Sequence, residues 1–320
     1  MAGGVSLLPP PGCLHPVTVR DEMPVMWRLS LASRSVTCAT VLAAAAFVST
    51  AAQAPAPFFF IQLSDPQFGM FTADKSFAQE TANFEFAVAN INRLGPTFVV
   101  ITGDLVNKAG DAAQIAEYRR VRSLIDPAIP VYDMPGNHDV ENAPTPATVA
   151  AYNTAIGRDR YTFTYQDFRG VVLDSTLIHT PDKAPGPAAL QEAWLRMTLA
   201  DAKATGARHI VIFQHHPWFL KSADEPDQYF NIPLVRRAPL LALFRQAGVS
   251  MLVSGHLHES AVAAFDGIPA ITTAPTGMPL NGAHSGMRLF VVKPDGITHR
   301  FFEFGELPGA IDPASATFTR

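Results

Sequence analysis

FVVITGDLVN, residues 98–107, is the stretch on which the reading of this chain turns. Phe98–Ile101 is uniformly apolar and mostly β-branched, which predicts a short strand buried on both faces. The run stops at Thr102-Gly103-Asp104, and Asn107 follows within the same turn. A strand that stays apolar to its end and then delivers a carboxylate fits a parallel α/β sheet. In such sheets ligand sites gather outside the carboxyl ends of the strands.

The same construction recurs outward from this stretch. Phe58–Leu63 (FFFIQL) ends in Ser64-Asp65-Pro66-Gln67, and Val131–Met134 ends in Pro135-Gly136-Asn137-His138-Asp139. His209–Phe213 (HIVIF) ends in Gln214-His215-His216-Pro217, and Met251–Ser254 ends in Gly255-His256-Leu257-His258. Between them, Ser76–Leu94 places Phe77, Phe84, Val88 and Ile91 at roughly helical spacing before Gly95-Pro96. Ala112–Ile125, Ala188–Ala204 and Pro239–Gln246 also read as helices. Thr162–Tyr165 and Val171–Asp174 read as paired strands flanking Gly170. Val262–Phe265, Ala270–Thr273, Leu289–Val292 and Thr298–Phe304 read as a β-meander. The expectation is one α/β domain over residues 58–305, parallel at the front, with 306–320 as a C-terminal tail.

Composition narrows the partners. A net charge of −4 with 16% charged residues does not provide the basic face of an electrostatic nucleic-acid binder. The two cysteines, Cys13 and Cys38, exclude both a disulfide scaffold and a four-cysteine zinc site. Both lie in an N-terminal region that does not read as fold. Arg28 and Arg34 precede the apolar run Val36–Val48, which falls short of the roughly 20 residues of a membrane-spanning helix. Small residues follow (STAAQA, 49–54), so the expectation is a secretory signal peptide cut after Ala51, Ala52 or Ala54. The alternatives are an N-terminal helix anchored in a membrane and plain disorder. Residues 1–25, with Pro9-Pro10-Pro11 and Asp21-Glu22, do not suit a signal, and translation is expected to start at Met26 or Met23. Residues 1–54 are thus expected to be a signal peptide behind a spurious extension. The product would be exported, periplasmic or extracellular, with no stable membrane span after cleavage.

Asp65–Gln67, Gly103–Asn107, Gly136–Asp139, His215–Pro217 and Gly255–His258 together carry three Asp, two Asn, one Gln and five His, and no Lys. Residues serving only solubility would be scattered over helix faces with lysines among them. Carboxylate, imidazole and amide oxygen are ligands for borderline divalent ions such as Mn, Fe and Zn. An Asp can bridge two such ions about 3.5–4 Å apart, the spacing of two-metal hydrolases.

The ordered set D-x-[HQ], GDxxN, GNHD, HHP and GHxH resembles the calcineurin-like metallophosphoesterase superfamily over nearly all of the chain after the leader. Asp65-Pro-Gln-Phe-Gly69 is similar to a subgroup, as are Phe213-Gln214-His215, Tyr229-Phe230-Asn231, Ser254-Gly255-His256 and Gly286-Met287-Arg288. Some members of that subgroup are protein serine/threonine phosphatases. The resemblance implies a four-layer α/β/β/α sandwich with two mixed β-sheets and a dinuclear site where they meet. It makes Asp104 the bridging ligand, Asp65 and His258 ligands of one ion, and Asn137, His215 and His256 ligands of the other. His256 and His258, two apart in an extended segment, would face the same side. His138 becomes the general acid, with Asp139 orienting its ring.

The sequence departs from the superfamily at Gln67, where most members have His. A neutral amide oxygen is a weaker ligand, so the first ion should bind loosely, be a harder ion such as Mn or Mg, or lean on water. Asn231 and Arg288 are candidate substrate-binding residues able to hold a phosphate oxygen, with a surface salt bridge the competing role for Arg288. His216 reads as a wall of the cleft or a participant. His179, His209, His284 and His299 read as structural or exposed, and Trp218–Arg237 as a lid or substrate-selecting wall.

The expected chemistry is hydrolysis of phosphate mono- or diesters of small molecules by a hydroxide held between two divalent cations, His138 protonating the leaving oxygen. A protein serine/threonine phosphatase of the same fold and a non-catalytic metal-binding relative are the alternatives.

Overall fold

The computed structural model describes residues 55–319. The expected signal peptide and extension lie outside the described residues. In chain order the elements are β1 (Phe58–Leu63), α1 (Ala78–Leu94), β2 (Val99–Ile101), α2 (Ala112–Arg122) and β3 (Val131–Asp133). Then follow α3 (Asn137–Val140), α4 (Pro146–Ala155), β4 (Tyr161–Tyr165), β5 (Phe168–Val172), α5 (Thr176–His179) and α6 (Pro185–Ala204). The second half holds β6 (His209–Phe213), α7 (Leu234–Ala247), β7 (Val249–Ser254), β8 (Ala261–Phe265), β9 (Ile268–Thr272), β10 (Gly286–Lys293) and β11 (Gly296–Glu303). A hairpin of β12 (Ala310–Asp312) and β13 (Thr317–Thr319) closes the chain.

Two mixed sheets form. The first runs β11-β10-β1-β2-β3, parallel through β1, β2 and β3 and antiparallel at β10 and β11. The second runs β4-β5-β6-β7-β9-β8, parallel from β5 to β9 with antiparallel edges. Strand periodicity fixes the layers. In β1, Phe59, Ile61 and Leu63 pack with Phe84, Val88 and Ile91 of α1 and Tyr118 and Val121 of α2. Phe58 and Phe60 point the other way, into a core between the sheets with Val100, Phe213, Val253 and Phe290. Phe60 stacks on Phe290 with ring centroids 4.6 Å apart. Beyond the second sheet, Ile210, Ile212 and Leu252 pack on Leu195 and Leu199 of α6 and Leu241 and Phe244 of α7. This is the expected four-layer sandwich.

Several expectations are corrected. The tail is no meander: β9 pairs parallel with β7 in the second sheet, whereas β10 pairs antiparallel with β1 in the first. Periodicity identifies strands but not their partners, and the link from Thr273 to Ser285 carries the chain from one sheet to the other. Gly170 lies inside β5 opposite Phe163; the turn is made by Gln166, whose φ of 51° is left-handed. Helix α7 starts at Leu234 and runs through Pro239, where the expected helix begins. Helix α4, capped by the Thr145 hydroxyl on the Thr148 amide, was missed altogether. Beyond residue 305 the chain packs Leu307, Ile311 and Phe318 against the first core instead of trailing away. Among the described residues no helix is long and apolar enough to cross a membrane.

Candidate metal centre

The polar strand ends converge at one rim. Two clusters of potential ligand atoms form there, Asp104 with His215 and His256, and Asp65 with Asp104 and His258. In each, the ligand atoms lie within 4.8 Å of one another, and all five side chains are buried. Asp104 belongs to both clusters, as its expected bridging position requires. His215 Nε2 lies 3.2 Å from Asp104 Oδ2 and 3.0 Å from Asn137 Oδ1, so Asn137 joins the first cluster.

Local backbone conformation turns these side chains inward. Asp65, Gln67, Asp104, His256 and His258 all have φ between 39° and 69°. Left-handed backbone at non-glycine residues costs on the order of 1–3 kcal/mol each and persists only where surrounding structure enforces it. His256 and His258 therefore sit in a tight turn, not the expected extended segment, yet they still face neighbouring clusters. Close packing accompanies the strain: a Cβ on Gly136 would overlap the Asp104 carboxylate, and one on Gly255 would overlap Ser64 Oγ and approach Asp65 Oδ2 to 2.7 Å.

The imidazoles are oriented as ligands. His215 Nδ1 lies 2.8 Å from the Thr102 carbonyl, His258 Nδ1 2.6 Å from the Met278 carbonyl, and His256 Nε2 3.3 Å from the Tyr229 carbonyl. A carbonyl can only accept, so each anchored nitrogen carries the hydrogen. The other nitrogen of each ring is left to offer a lone pair. Two oxygens point to the same need for a partner. Asp65 Oδ1 and Gln67 Oε1 are buried without a hydrogen bond, whereas Asp65 Oδ2 is engaged by Ser64 Oγ and the His256 amide. Gln67 Nε2 donates to Asn107 Oδ1, which fixes which end of its amide is free. Unsatisfied buried oxygens are rare and call for an explanation, and a cation supplies one. The donor set fits two divalent ions.

Electrostatics agree. Burial pushes the Asp65 carboxyl up, opposed by His258 and His215. Burial also works against the Asp104 charge, but His215 and neighbouring imidazoles outweigh it and hold the carboxyl low. Burial disfavours a His215 imidazolium, yet Asp104 and Asp65 together raise its pKa to about 9. Burial, then His215, press His256 down to about 3. Without cations, a proton on His215 is thus the principal counter-charge to the buried Asp104 carboxylate.

His138 and Asp139 divide differently from expectation. The His138 amide donates to Asp104 Oδ1 at 2.8 Å, which seats the residue beside the shared carboxylate. Its Nδ1 lies 2.7 Å from the Asn107 carbonyl, and that carbonyl orients the ring. Asp139 instead accepts from the amides of Gly136, Leu105 and Val106 at 2.8–3.1 Å, so it ties two ligand loops together. Burial, with Asp104 nearby, raises its pKa to about 7.

The two candidate substrate contacts, Asn231 and Arg288, have partners within the protein. Asn231 is buried, accepts from the Gln228 amide and donates to Glu225 and the Pro226 carbonyl, so it organises its own loop. Arg288 is buried, not a surface ion pair, and donates to Thr273, Ser260, His299 and the Thr272 carbonyl.

The Trp218–Arg237 loop is a braced wall. Despite burial, the Asn231 amide and the backbone amides of Leu220, Lys221 and Ser222 hold the Glu225 carboxyl down at about 2. Arg237 is buried against the Trp218 and Glu225 carbonyls. This places Tyr229 and Phe230 against His256, ring centroids 5.0 and 5.5 Å away, and Tyr229 Oη 3.2 Å from Asn137 Nδ2. Sequence reasoning had noted these two aromatics only as part of a resemblance. It missed Ser175, whose hydroxyl meets His216 Nδ1 at 2.9 Å, and the stacking of His179 on His216 at 4.7 Å. The polar end of β5, Asp174-Ser175-Thr176, was the available signal.

Comparison with known proteins agrees with this geometry. Residues 60–260 match the family described as calcineurin-like phosphoesterase. The chain is 34% identical over 266 residues to the serine/threonine-protein phosphatase CPPED1 of Rattus norvegicus, covering 78% of this chain and 85% of that protein. It is 29% identical over 243 residues to the cAMP/cGMP dual specificity phosphodiesterase MT0825 of Mycobacterium tuberculosis (strain CDC 1551 / Oshkosh), covering 68% and 69%. The purple acid phosphatase PPD1 of yellow lupin (Lupinus luteus) shares the fold, with a TM-score of 0.59 at 14% identity over 82% of this chain and 52% of that one. The chain belongs to the calcineurin-like phosphoesterase family and is a hydrolase acting on phosphoric ester bonds.

Proposed function

We propose that this member of the calcineurin-like phosphoesterase family is an exported hydrolase of small organic phosphate esters that works with two divalent cations. The observation that carries the reading is the shared Asp104 flanked by three imidazoles, each with one nitrogen anchored on a carbonyl and the other facing the centre. Asp65, Gln67 and His258 would hold one cation, Asn137, His215 and His256 the other, with Asp104 between. When bound, the cations would neutralise the phosphoryl oxygens and lower the pKa of a water for attack on phosphorus.

The chain's own contribution to leaving-group departure is His138. The Asn107 carbonyl retains the hydrogen on Nδ1, so the proton that His138 gives up must come from Nε2. Asp139 acts only through the loops it pins. Tyr229 and Phe230 narrow the approach over His256, which favours small esters over a bulky folded partner. Export is supported by Arg28, Arg34 and the short apolar run that follows, and by the confinement of both cysteines to that region.

The test is turnover of p-nitrophenyl phosphate and bis(p-nitrophenyl) phosphate by the purified protein with Mn²⁺, before and after chelation. Metal-dependent release of nitrophenol is expected; no turnover of either ester would leave a metal-binding protein without catalysis. A second reading, dephosphorylation of phosphoserine or phosphothreonine in proteins, is favoured by the named activity of the rat relative. It would prevail if phosphopeptides were hydrolysed with a higher kcat/KM than small esters.

A further inference from the structure

Arg288 raises a question that the site leaves open. It is 4% exposed, and among the described residues no carboxylate lies within 4 Å of it. A buried cation without an anion is costly, and a fold that keeps one must satisfy it through hydrogen bonds. Phe301 lies under the guanidinium at 5.6 Å, and His299 Nδ1 accepts from it at 3.1 Å.

Arg288 Nη2 donates to Ser260 Oγ at 2.9 Å and to the Thr272 carbonyl at 3.4 Å, and a line of partners starts from Nε. Arg288 Nε donates to Thr273 Oγ1 at 2.7 Å, and Thr273 Oγ1 donates to Gln62 Oε1 at 2.6 Å. Gln62 Nε2 donates to Thr102 Oγ1 at 2.9 Å, and Thr102 Oγ1 donates to Ser64 Oγ at 2.9 Å. Ser64 Oγ donates to Asp65 Oδ2. Every side chain in the line is buried. It crosses between the sheets, because Gln62 and Arg288 come from β1 and β10 while Thr273 follows β9.

Its ends favour one direction. A guanidinium can only donate and a carboxylate can only accept. With Arg288 donating to it, the Thr273 hydroxyl turns its own hydrogen to Gln62. That sets the Gln62 carbonyl toward Thr273 and its NH₂ toward Thr102 and the Ser254 carbonyl, the latter at 3.0 Å. Thr102 and Ser64 then donate onward, although the Leu63 carbonyl at 3.2 Å is a competing acceptor for Thr102. Bonds aligned in one sense polarise one another in a dry interior. The line ends on Oδ2, the oxygen of Asp65 already used by the protein. It leaves Oδ1 facing His258 Nε2 at 3.5 Å.

We propose that Arg288 is a positioning residue for the Asp65 metal site, acting through Thr273, Gln62, Thr102 and Ser64 to lock the carboxylate with a single oxygen presented to the cation. The inference rests on the two-cation reading. A partner bonded directly to a ligand, the place Ser64 holds here, is typically worth about 10–100-fold in metal affinity, and the residues behind it should show the low end of that range.

The experiment is Mn²⁺ titration of the full chain by calorimetry, with the magnetic coupling of the Mn pair followed by electron paramagnetic resonance. Thr273→Val breaks the line while nearly preserving volume, Thr273→Ser keeps the hydroxyl, and Arg288→Met and Arg288→Lys form a matching pair. Thermal melts of the metal-free proteins verify folding. The expected result is that Thr273→Val and Arg288→Met bind one Mn²⁺ as wild type does and the other about 10-fold or more weakly, with loss of the coupled signal. Thr273→Ser and Arg288→Lys should stay near wild type. A folded Thr273→Val protein that binds both ions like a two-ion wild type would overturn the inference alone. Equal weakening of both ions, or Thr273→Ser as weak as Thr273→Val, would also overturn it. A wild type that binds fewer than two ions would overturn the two-cation reading and the inference with it.

Discussion

The Nδ1 atom of His138 sits 2.7 Å from the carbonyl oxygen of Asn107, so a main-chain group, not the adjacent carboxylate, sets the ring's orientation and tautomer. Asn107 is itself held from both sides: its side chain donates to Asp74 at 2.8 Å and accepts from Gln67 at 3.1 Å. The expected proton donor is thus tied mechanically to an expected metal ligand.

His138→Ala should reduce kcat by about 10²–10⁴-fold for an ester with a poor leaving group. The loss should be much smaller for p-nitrophenyl phosphate, whose leaving group departs without protonation. Rates on phenyl and p-nitrophenyl phosphate, compared in wild type and variant, provide the check. An equal loss on both would remove the proton-donor role.

Asp139→Asn should act through stability. The carboxylate meets three backbone amides, and an amide NH₂ in place of one oxygen would confront an N–H. Leaving buried donors unpaired costs about 1–3 kcal/mol each. A lower melting temperature is expected, with the leaving-group dependence of kcat unchanged; a changed dependence would return Asp139 to the chemistry.

Cation binding should release protons. His215, with a pKa near 9, is protonated at pH 7 in the metal-free protein, whereas a metal ligand must offer a lone pair. Titration with Mn²⁺ at pH 7 in buffers of different ionisation enthalpy should show close to one proton released. The released fraction should shrink as pH passes above 9. Because the folded form alone assembles the site, Mn²⁺ at about 100 times its Kd should add about 2.7 kcal/mol of stability, measurable as a rise in melting temperature.

Asp174 supplies a pH dependence of its own. Burial lifts its carboxyl to about 7, against the hydrogen bonds from Thr176. The unfolded carboxyl titrates near 3.8. Between those values the folded protein holds a proton that the unfolded chain has lost. The stability is therefore complete below pH 4 and declines as pH rises through 7. Oδ1 accepts from the Thr176 amide at 2.9 Å while Oδ2 has no partner, so Asp174→Asn keeps the useful oxygen and removes the charge. Melting curves from pH 4 to 8 should be flatter in the variant and higher than wild type at pH 8. Parallel curves would refute the assignment.

The sequence by itself determined the strands and the ligand types. Runs such as Phe58–Ile61 and Phe98–Ile101 are apolar on both faces, which only an interior strand tolerates, and the polar ends of such strands name the candidate ligands Asp65, Asp104, Asn137, His215, His256 and His258. What it left open depended on contacts between residues far apart in the chain. Strand pairing sends β9 to β7 and β10 to β1, and that crossing brings Arg288 into line with Asp65. Arg288 and Asn231 could not be given their internal partners from sequence, because a guanidinium or an amide looks the same there whether it faces a ligand or a backbone carbonyl. Asp139 was misplaced for the same reason: adjacency to His138 suggested a pair, but His138 Nδ1 meets the Asn107 carbonyl while Asp139 accepts from the amides of Gly136, Leu105 and Val106. Spacing along the chain reports what a residue could do, and only packing decides which of its hydrogen-bonding atoms are already taken.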